Sequence, residues 1–457
     1  MLIRMPVMSK APLFQEDLIN RYDKPGPRYT YYPPVTEFQD QVGESNFRDW
    51  ARLSNEELIP KPLSLYFHIP FCSSICHYCA CNKVVTGSKE KTEPYLQDLY
   101  REIEIQSQLF DSDREVRQLH WGGGTPGFLS RQQSQQLMDK IARHFKLRSD
   151  DEGDYSIEID PRVMEKDGVA HLRSLGFNRI SIGVQDFDKR VQKAVNRIQS
   201  PETTEAVINC ARRRGIRAIN IDLIYGLPHQ TVQSFSKTLD MIIGLDPDRI
   251  AIHNYAHLPH RFPPQRSIKA RDLPASSEKL AILHIAIDRL CDAGYEYIGM
   301  DHFAKPDDEL VVAQRNDSLQ RNFQGYSAHA QCDFIGFGVS AISQVLDNFS
   351  QNATSLEAYH ESLEQRHLPV IRGYESREDD LLRREIIQRL SCHFHLDKRD
   401  IADSWNIDFD DYFAGELDHL AGMEKDGLLD VGKDDITVLE PGRLLVRNIC
   451  MVFDAYQ

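Results

Sequence analysis

Tyr66-Phe-His-Ile-Pro-Phe-Cys-Ser-Ser-Ile-Cys-His-Tyr-Cys-Ala-Cys81 is the stretch around which the chain is organised. Cys72, Cys76 and Cys79 stand at C-x3-C-x2-C spacing, directly after a β-like run from Leu63 to Ile69. Thiolates this close suit three corners of a cubane iron–sulfur cluster, because soft sulfur ligands match iron. A [4Fe–4S] cluster held this way keeps one iron open to a substrate or cofactor. Zinc is the weaker reading, since zinc sites usually show two separated Cys/His pairs and no second pair stands at finger-like spacing. A disulfide fits poorly in a chain without signs of secretion. Cys81 stays open between two roles. It is either a fourth ligand, closing the cluster for electron transfer only, or a separate reactive group beside it.

The chain has 457 residues, enough for one large domain and a smaller one. Its 41% hydrophobic and 27% charged content is that of an ordinary soluble globular protein. A net charge of −15 argues against nucleic-acid or anionic-membrane partners, so an anionic substrate needs a local basic pocket. No apolar run reaches the ~20 residues of a membrane span. The opening Met1–Lys10 lacks a signal-peptide core. Nine cysteines, an odd number, fit a reducing compartment, with the cytoplasm as the expectation.

Residues 1 to about 60 read as an irregular, partly helical extension. Its centre, Gly26-Pro-Arg-Tyr-Thr-Tyr-Tyr-Pro-Pro34, is too rich in proline for a helix, and its tyrosines suit packing better than solvation. From residue 62 a β/α alternation begins. Leu63–Ile69, Val116–Trp121, Tyr155–Asp160, Arg179–Val184, Ala218–Tyr225 and Arg249–Tyr255 are the expected strands. Ser130 and Gln133 make a capping box ahead of one of the intervening helices. Gly176, Gly215 and Gly294 each end a helix and lead into a strand. Strands alternating with helices imply a parallel sheet with right-handed crossovers, either curved or flat. Residues after Tyr295, among them Gly299–Pro306, Arg321–Tyr326 and Gly336–Ser340, read as loops returning over the sheet. Residues 350 to 375 read as a connection. From Asp380 a helical tail begins, ending in a small winged-helix-like unit.

Polar groups cluster where the expected strands end, and in a parallel barrel that end carries the chemistry. The second strand runs into Gly122-Gly-Gly-Thr-Pro126, whose glycines let a ligand approach exposed main-chain N–H groups. Later strands end in Glu158-Ile-Asp160, Gln185-Asp186, Asp222 and Tyr255-Ala256-His257. Taken singly, each is as well explained by a strand-end hydrogen bond or a helix cap.

The cysteine motif after a hydrophobic strand resembles the radical S-adenosylmethionine (SAM) superfamily. With Cys81-Asn82-Lys83, Asn220-Ile-Asp-Leu-Ile-Tyr-Gly-Leu-Pro228, Asn322-Phe-Gln-Gly-Tyr326 and Arg447-Asn-Ile-Cys450, the chain resembles the oxygen-independent coproporphyrinogen III dehydrogenases within it, from about Leu18 to Asp454. The resemblance implies an α/β fold: a partial (β/α)6 TIM-like barrel over 62–360, an N-terminal arm over the active site at 1–61, and a small mainly helical, winged-helix-like unit at 361–457. It implies a [4Fe–4S] cluster on Cys72, Cys76 and Cys79, and two SAM molecules. One SAM would contact Tyr66, Tyr78, Gly123, Glu158 and Ile342. The other would contact Gly124, Thr125, Gln185, Arg197, Asp222 and Ala256. Cys81, Arg28, Tyr29 and Tyr31 are the candidates for catalytic or substrate roles. Ala80 and Tyr31 depart from the family pattern, which has glycine and serine there.

The implied reaction is the anaerobic oxidative decarboxylation of two propionates of coproporphyrinogen III to vinyl groups, giving protoporphyrinogen IX in haem biosynthesis. An electron donor and an unidentified electron acceptor are the implied partners of a cytoplasmic monomer. A haem-trafficking paralogue, a haem-degrading radical SAM methyltransferase and a plain electron-transfer protein are the alternatives.

Overall fold

Six strands lie where the sequence places them: β1 (Leu63–Ile69), β2 (Glu115–Gly123), β3 (Asp154–Ile159), β4 (Arg179–Gln185), β5 (Ala218–Tyr225) and β6 (Arg249–Asn254). The structure is a computed structural model and describes residues 12–22, 24, 26–165, 167–322, 325–328 and 332–457. The opening Met1–Lys10, expected to lack a signal-peptide core, and Phe323 and Gln324 of the Arg321–Tyr326 stretch, lie outside the described residues.

Each of the six strands pairs in parallel with the next, from β1 through to β6. Two sequence devices make the helical returns. Ser130 and Gln133 cap one another's backbone N–H groups at the helix Arg131–His144. Gly176, Gly215 and Gly294 take positive φ of 100°, 73° and 91° at helix ends.

The burial pattern explains why this barrel is hollow. Along β5, Ile219, Ile221 and Leu223 are fully buried, while Asn220, Asp222 and Ile224 alternate with them and line an interior cavity. β4 does the same with Ser181, Gly183 and Gln185, and β3 with Ser156 and Glu158. Successive side chains of a strand point to opposite faces. The apolar sets therefore pack under helices and the mainly polar sets turn inward around an open cavity. β1 is buried along its whole length.

The sheet is wider than the six strands. Beyond β6 comes an antiparallel hairpin, Glu296–Gly299 with His302–Ala304. Beyond β1 lies Asp333–Phe337, parallel to it, and then Ile342–Val345, Asn348–Asn352 and Val370–Tyr374. Residues 336–340 and 350–375, read from sequence as loops and a connection, thus belong largely to the sheet edge and to the helix Leu356–Glu364. Glycine hid them. Gly336 and Gly373 are strand residues at which an added Cβ would come within 2.4 and 2.3 Å of a neighbouring strand's carbonyl oxygen. The sheet itself runs on past residue 360 to Tyr374.

The C-terminal unit packs the helices Glu378–His393, Lys398–Trp405, Ala414–Lys425 and Val446–Val452 with a small antiparallel sheet of His395–Asp397, Asp435–Val438 and Leu429–Val431. The N-terminal arm is clamped to it. Leu18 is buried against Leu428 and Leu445, Tyr22 donates to Asp426 at 2.7 Å, and Tyr32 accepts from the Ala455 N–H at 3.0 Å. No helix among the described residues is long and apolar enough to cross a membrane.

Candidate active site

At the C-terminal ends of the strands, β1 passes into the cysteine loop, which is tied at its neck. Phe71–Cys72 pairs in parallel with Val84–Val85, with Val84 N–H on the Pro70 carbonyl at 2.7 Å and Thr86 N–H on the Cys72 carbonyl at 3.0 Å. Its tip is docked as well. His77 N–H donates to Val195 O at 2.9 Å, Asn196 to Ile75 O at 2.7 Å, and Gln265 to Tyr78 O at 3.2 Å. The loop is thereby shaped by the protein itself.

Cys72, Cys76 and Cys79 line one cavity of about 780 Å³, and Cys81 lies on the same wall. All four are free thiols. Hydrogen-bond donors surround them. Thr125 Oγ1 is 3.5 Å from Cys72 Sγ, and Arg162 and Arg197 reach Cys76 Sγ at 3.6 and 3.7 Å. A hydrogen bond with Cys81 is the main cause that draws the Cys79 thiol down to about 6, helped by Lys83 against the opposing effect of burial; the same bond pushes Cys81 up. Metal-binding sulfur must be thiolate. These surroundings therefore fit an anionic iron–sulfur group. Among the described residues, no three His, Cys, Asp or Glu side chains converge on a point suited to a single metal ion.

The glycine turn after β2 shows why its residues are glycine. Gly123 has a φ of 111°, and a Cβ there would lie 2.6 Å from the His68 ring; one on Gly124 would lie 2.6 Å from the Pro70 main chain. Gly123 N–H donates to Glu158 Oε2 at 3.1 Å, and His120 Nε2 stands 3.5 Å from Glu158 Oε1. Tyr66 stacks on His120 with centroids 5.8 Å apart and bonds His68 Nδ1 at 3.1 Å.

Deeper in, Asp160 bridges Arg162 at 2.6 Å and Arg197 at 3.1 Å. Burial works against its ionised carboxyl, yet the Arg162 hydrogen bond and the two guanidinium charges hold it below the usual range. Gln185 is held at a φ of 71°, and its Oε1 is buried without a partner among the described residues. An orphaned acceptor on a strained residue, aimed into a cavity, suits a hydroxyl-bearing ligand. Asp222 accepts from Ser181 at 2.7 Å and Asn220 at 2.9 Å.

The arm closes over this cavity, with Arg28, Thr30, Tyr31 and Val35 in its lining. Arg28 Nη1 donates to His253 Nδ1 at 3.2 Å. A guanidinium only donates, so Nδ1 is the acceptor and the Nε2–H of His253 turns to Asp222 Oδ1, 3.7 Å away.

Tyr66, Tyr78, Gly123, Gly124, Thr125, Glu158, Gln185, Arg197, Asp222 and Ile342 all line the same cavity as the cysteines, Arg28 and Tyr31. Two candidates do not. Tyr29 is 3% exposed and its hydroxyl donates to Asp454 at 3.0 Å; it fastens the arm to the C-terminal unit, away from the cavity. Ala256 is outside the lining, and its carbonyl accepts from Gln265 at 3.2 Å. Four lining residues carry functional groups that the sequence reading passed over: Arg162, His253, His302 and Arg321. Arg321 sat in a stretch already expected to cross the barrel mouth. So did His302, within Gly299–Pro306; Arg162 and His253 gave no signal by spacing.

Residues 66–242 match the family model of the radical SAM superfamily. The oxygen-independent coproporphyrinogen III oxidase of Pseudomonas aeruginosa is 51% identical over 96% of this chain and 95% of its own. That of Escherichia coli is 48% identical over 96% and 94%. A solved structure of coproporphyrinogen III oxidase from Escherichia coli, described as a radical SAM enzyme, superposes with a TM-score of 0.93 at 46% identity, covering 98% of this chain and 100% of that one. A hollow parallel barrel, three thiols at its mouth and kinship along nearly its whole length lead to one assignment: the chain belongs to the oxygen-independent coproporphyrinogen III oxidases of the radical SAM superfamily.

Proposed function

We infer that the protein catalyses the oxygen-independent oxidative decarboxylation of two coproporphyrinogen III propionates to vinyl groups, giving protoporphyrinogen IX. The observation that carries this reading is the single cavity shared by the cysteine loop, the Gly123–Glu158 turn and the arm residues Arg28 and Tyr31. The matched relatives bear the oxidase name along almost the whole chain, which favours this reading over haem trafficking or haem degradation.

In this reading Cys72, Cys76 and Cys79 would hold a [4Fe–4S] cluster, and Cys81 would stay a free thiol beside it. Together the cluster and SAM supply a 5′-deoxyadenosyl radical able to take hydrogen from a propionate side chain. The chain's own residues do the positioning. Gly123 and Glu158, with Tyr66, Tyr78 and Ile342, hold one SAM. Gly124, Thr125, Gln185, Arg197 and Asp222 hold a second, with Ala256 at the edge of that set. Arg162 and Arg197 present positive charge to Cys76 and keep Asp160 ionised. The arm excludes water from the mouth, and Arg28 ties its closure to Asp222 through His253. A reductant delivers the electron, a separate acceptor removes one, and the enzyme works as a cytoplasmic monomer.

The test is anaerobic incubation of reconstituted protein with coproporphyrinogen III, SAM and a chemical reductant. Protoporphyrinogen IX and 5′-deoxyadenosine are expected to accumulate together. Deoxyadenosine without vinyl product, or tight haem binding without turnover, overturns the reading.

A further inference from the structure

Arg321 has no part in the reaction as set out above, yet it is built into the cavity wall. Its side chain is 5% exposed. Nε donates to the Arg28 carbonyl at 3.0 Å, and the guanidinium lies 4.7 Å over the Tyr326 ring. Gln388 grips its main chain from both sides, accepting from its N–H at 3.0 Å and donating to its carbonyl at 2.6 Å. The group is therefore fixed before any ligand arrives.

Its charge is unanswered. Nη1 is buried without a hydrogen-bond partner among the described residues. A buried guanidinium left in this state carries a desolvation cost that an anion would relieve. The carboxylate on this side, Asp222, is engaged by Ser181, Asn220 and His253, and burial first, then Arg321 and His253, bring the His302 pKa down to about 3 against the opposing charge of Asp222. Arg28, whose backbone Arg321 grips, places a second guanidinium on the same side, against His253.

We propose that Arg321, joined by Arg28, forms a carboxylate subsite on the His253–His302 side of the cavity. Planar guanidinium matches carboxylate bidentately, and the pairing strengthens where water is excluded. The proposal rests on the reading above, which brings two carboxylate sources into the cavity: the propionates of coproporphyrinogen III and the amino-acid carboxylate of SAM. Because Arg321 bonds the arm's main chain, filling the subsite also favours the closed arm.

The test uses the full chain, reconstituted anaerobically, with Arg321→Met and Arg321→Lys variants. Coproporphyrin III, a stable oxidised tetracarboxylate, is titrated by fluorescence. SAM and the carboxylate-free 5′-methylthioadenosine are measured by equilibrium dialysis. Arg321→Met is expected to weaken coproporphyrin III about 10- to 100-fold, the range of one charged hydrogen-bonded contact, and to leave 5′-methylthioadenosine unchanged. A loss confined to SAM, with 5′-methylthioadenosine unchanged, keeps the subsite and assigns it to SAM's carboxylate. Unchanged binding of both carboxylates, or parallel weakening of 5′-methylthioadenosine, overturns it. If Arg321→Met does not fold, Arg321→Lys decides: a selective loss of about threefold or more supports the subsite, and equal affinities overturn it. Unsubstituted protein that binds coproporphyrin III without decarboxylating coproporphyrinogen III would refute the reaction and leave the subsite standing.

Discussion

The two ends of the barrel both carry arginine, and they treat it in opposite ways. At the floor, Arg179 and Arg249 are the first residues of β4 and β6. Arg179 pairs with Asp154 at 3.0 Å and Glu309 at 2.5 Å, and Arg249 with Asp308 at 2.9 Å and Glu309 at 2.6 Å. Burial resists the charge on Glu309, yet Arg249 and Arg179 hold its carboxyl down to about 2. At the mouth, Arg162 and Arg197 share Asp160 beside the cysteine loop, but among the described residues Arg321 keeps a nitrogen unpartnered and the Arg28 guanidinium meets a histidine ring. Charge matched internally closes the bottom of the barrel; charge left unmatched is held ready for a ligand. The position of an arginine along a strand thus says less about its role than the account of its hydrogen bonds.

The largest effect that bears on this contrast belongs to the mouth. Changing Cys72, Cys76 or Cys79 to Ala is expected to abolish both the reconstituted cluster and turnover, read as iron and sulfide per chain. Cys81→Ser is expected to keep the full iron content and the spectral change on adding SAM. A full cluster in any of the first three variants breaks the assignment of ligands.

The floor comes next. Glu309→Ala leaves two buried guanidiniums short of a partner and is expected to destabilise the fold by about 3 kcal/mol. Denaturant titration reads that loss, while reconstituted iron content in the folded protein stays the same. A variant as stable as the parent, or one that loses cluster without losing stability, would erase the distinction between the ends.

Arg28→Met tests the mouth without dismantling the arm, whose anchors Leu18, Tyr22, Tyr29 and Tyr32 lie elsewhere. Cutting off residues 1–35 would strip those anchors as well. The expected result is a fall of about tenfold in decarboxylation per 5′-deoxyadenosine formed, with SAM binding retained. Vinyl product is counted against deoxyadenosine; an unchanged ratio reduces Arg28 to a surface residue.

The smallest effect is a pH slope. His302 has its pKa lowered to about 3 by burial, Arg321 and His253, against about 6.5 in the unfolded chain. The unfolded state therefore binds the proton first as pH falls. The stability tied to neutral His302 is fully present above about pH 6.5 and is lost progressively towards pH 3. Between pH 7 and about pH 5.7 the loss is expected to be about 1 kcal/mol by urea midpoint. His302→Phe should flatten that part of the curve.

Much of this was legible in the sequence, for identifiable reasons. The six strands stood out because β-branched residues and helix-ending glycines recur in step. Cysteine spacing marked the loop, because its ligands are local. The edge strands of 333–374 escaped because they are short and interrupted by glycines needed for close strand contact. Arg162, His253, His302 and Arg321 escaped because only the fold of the sheet brings them into one cavity lining. Tyr29 was drawn into the site by its neighbours in sequence, although its side chain turns to Asp454.

The clasp between the arm and the end of the chain also sets an order of events during synthesis. Tyr29 bonds Asp454, and Tyr32 bonds the backbone of Ala455. A ribosome making this protein releases the arm first and its anchors more than four hundred residues later. Before residues 454 and 455 are made, the arm has only its earlier contacts, among them Arg28 on His253 and Tyr22 on Asp426, while the cysteine loop and the strands beneath it have already been made. The last two fasteners of the arm therefore come from the final residues of the chain, after everything the arm covers.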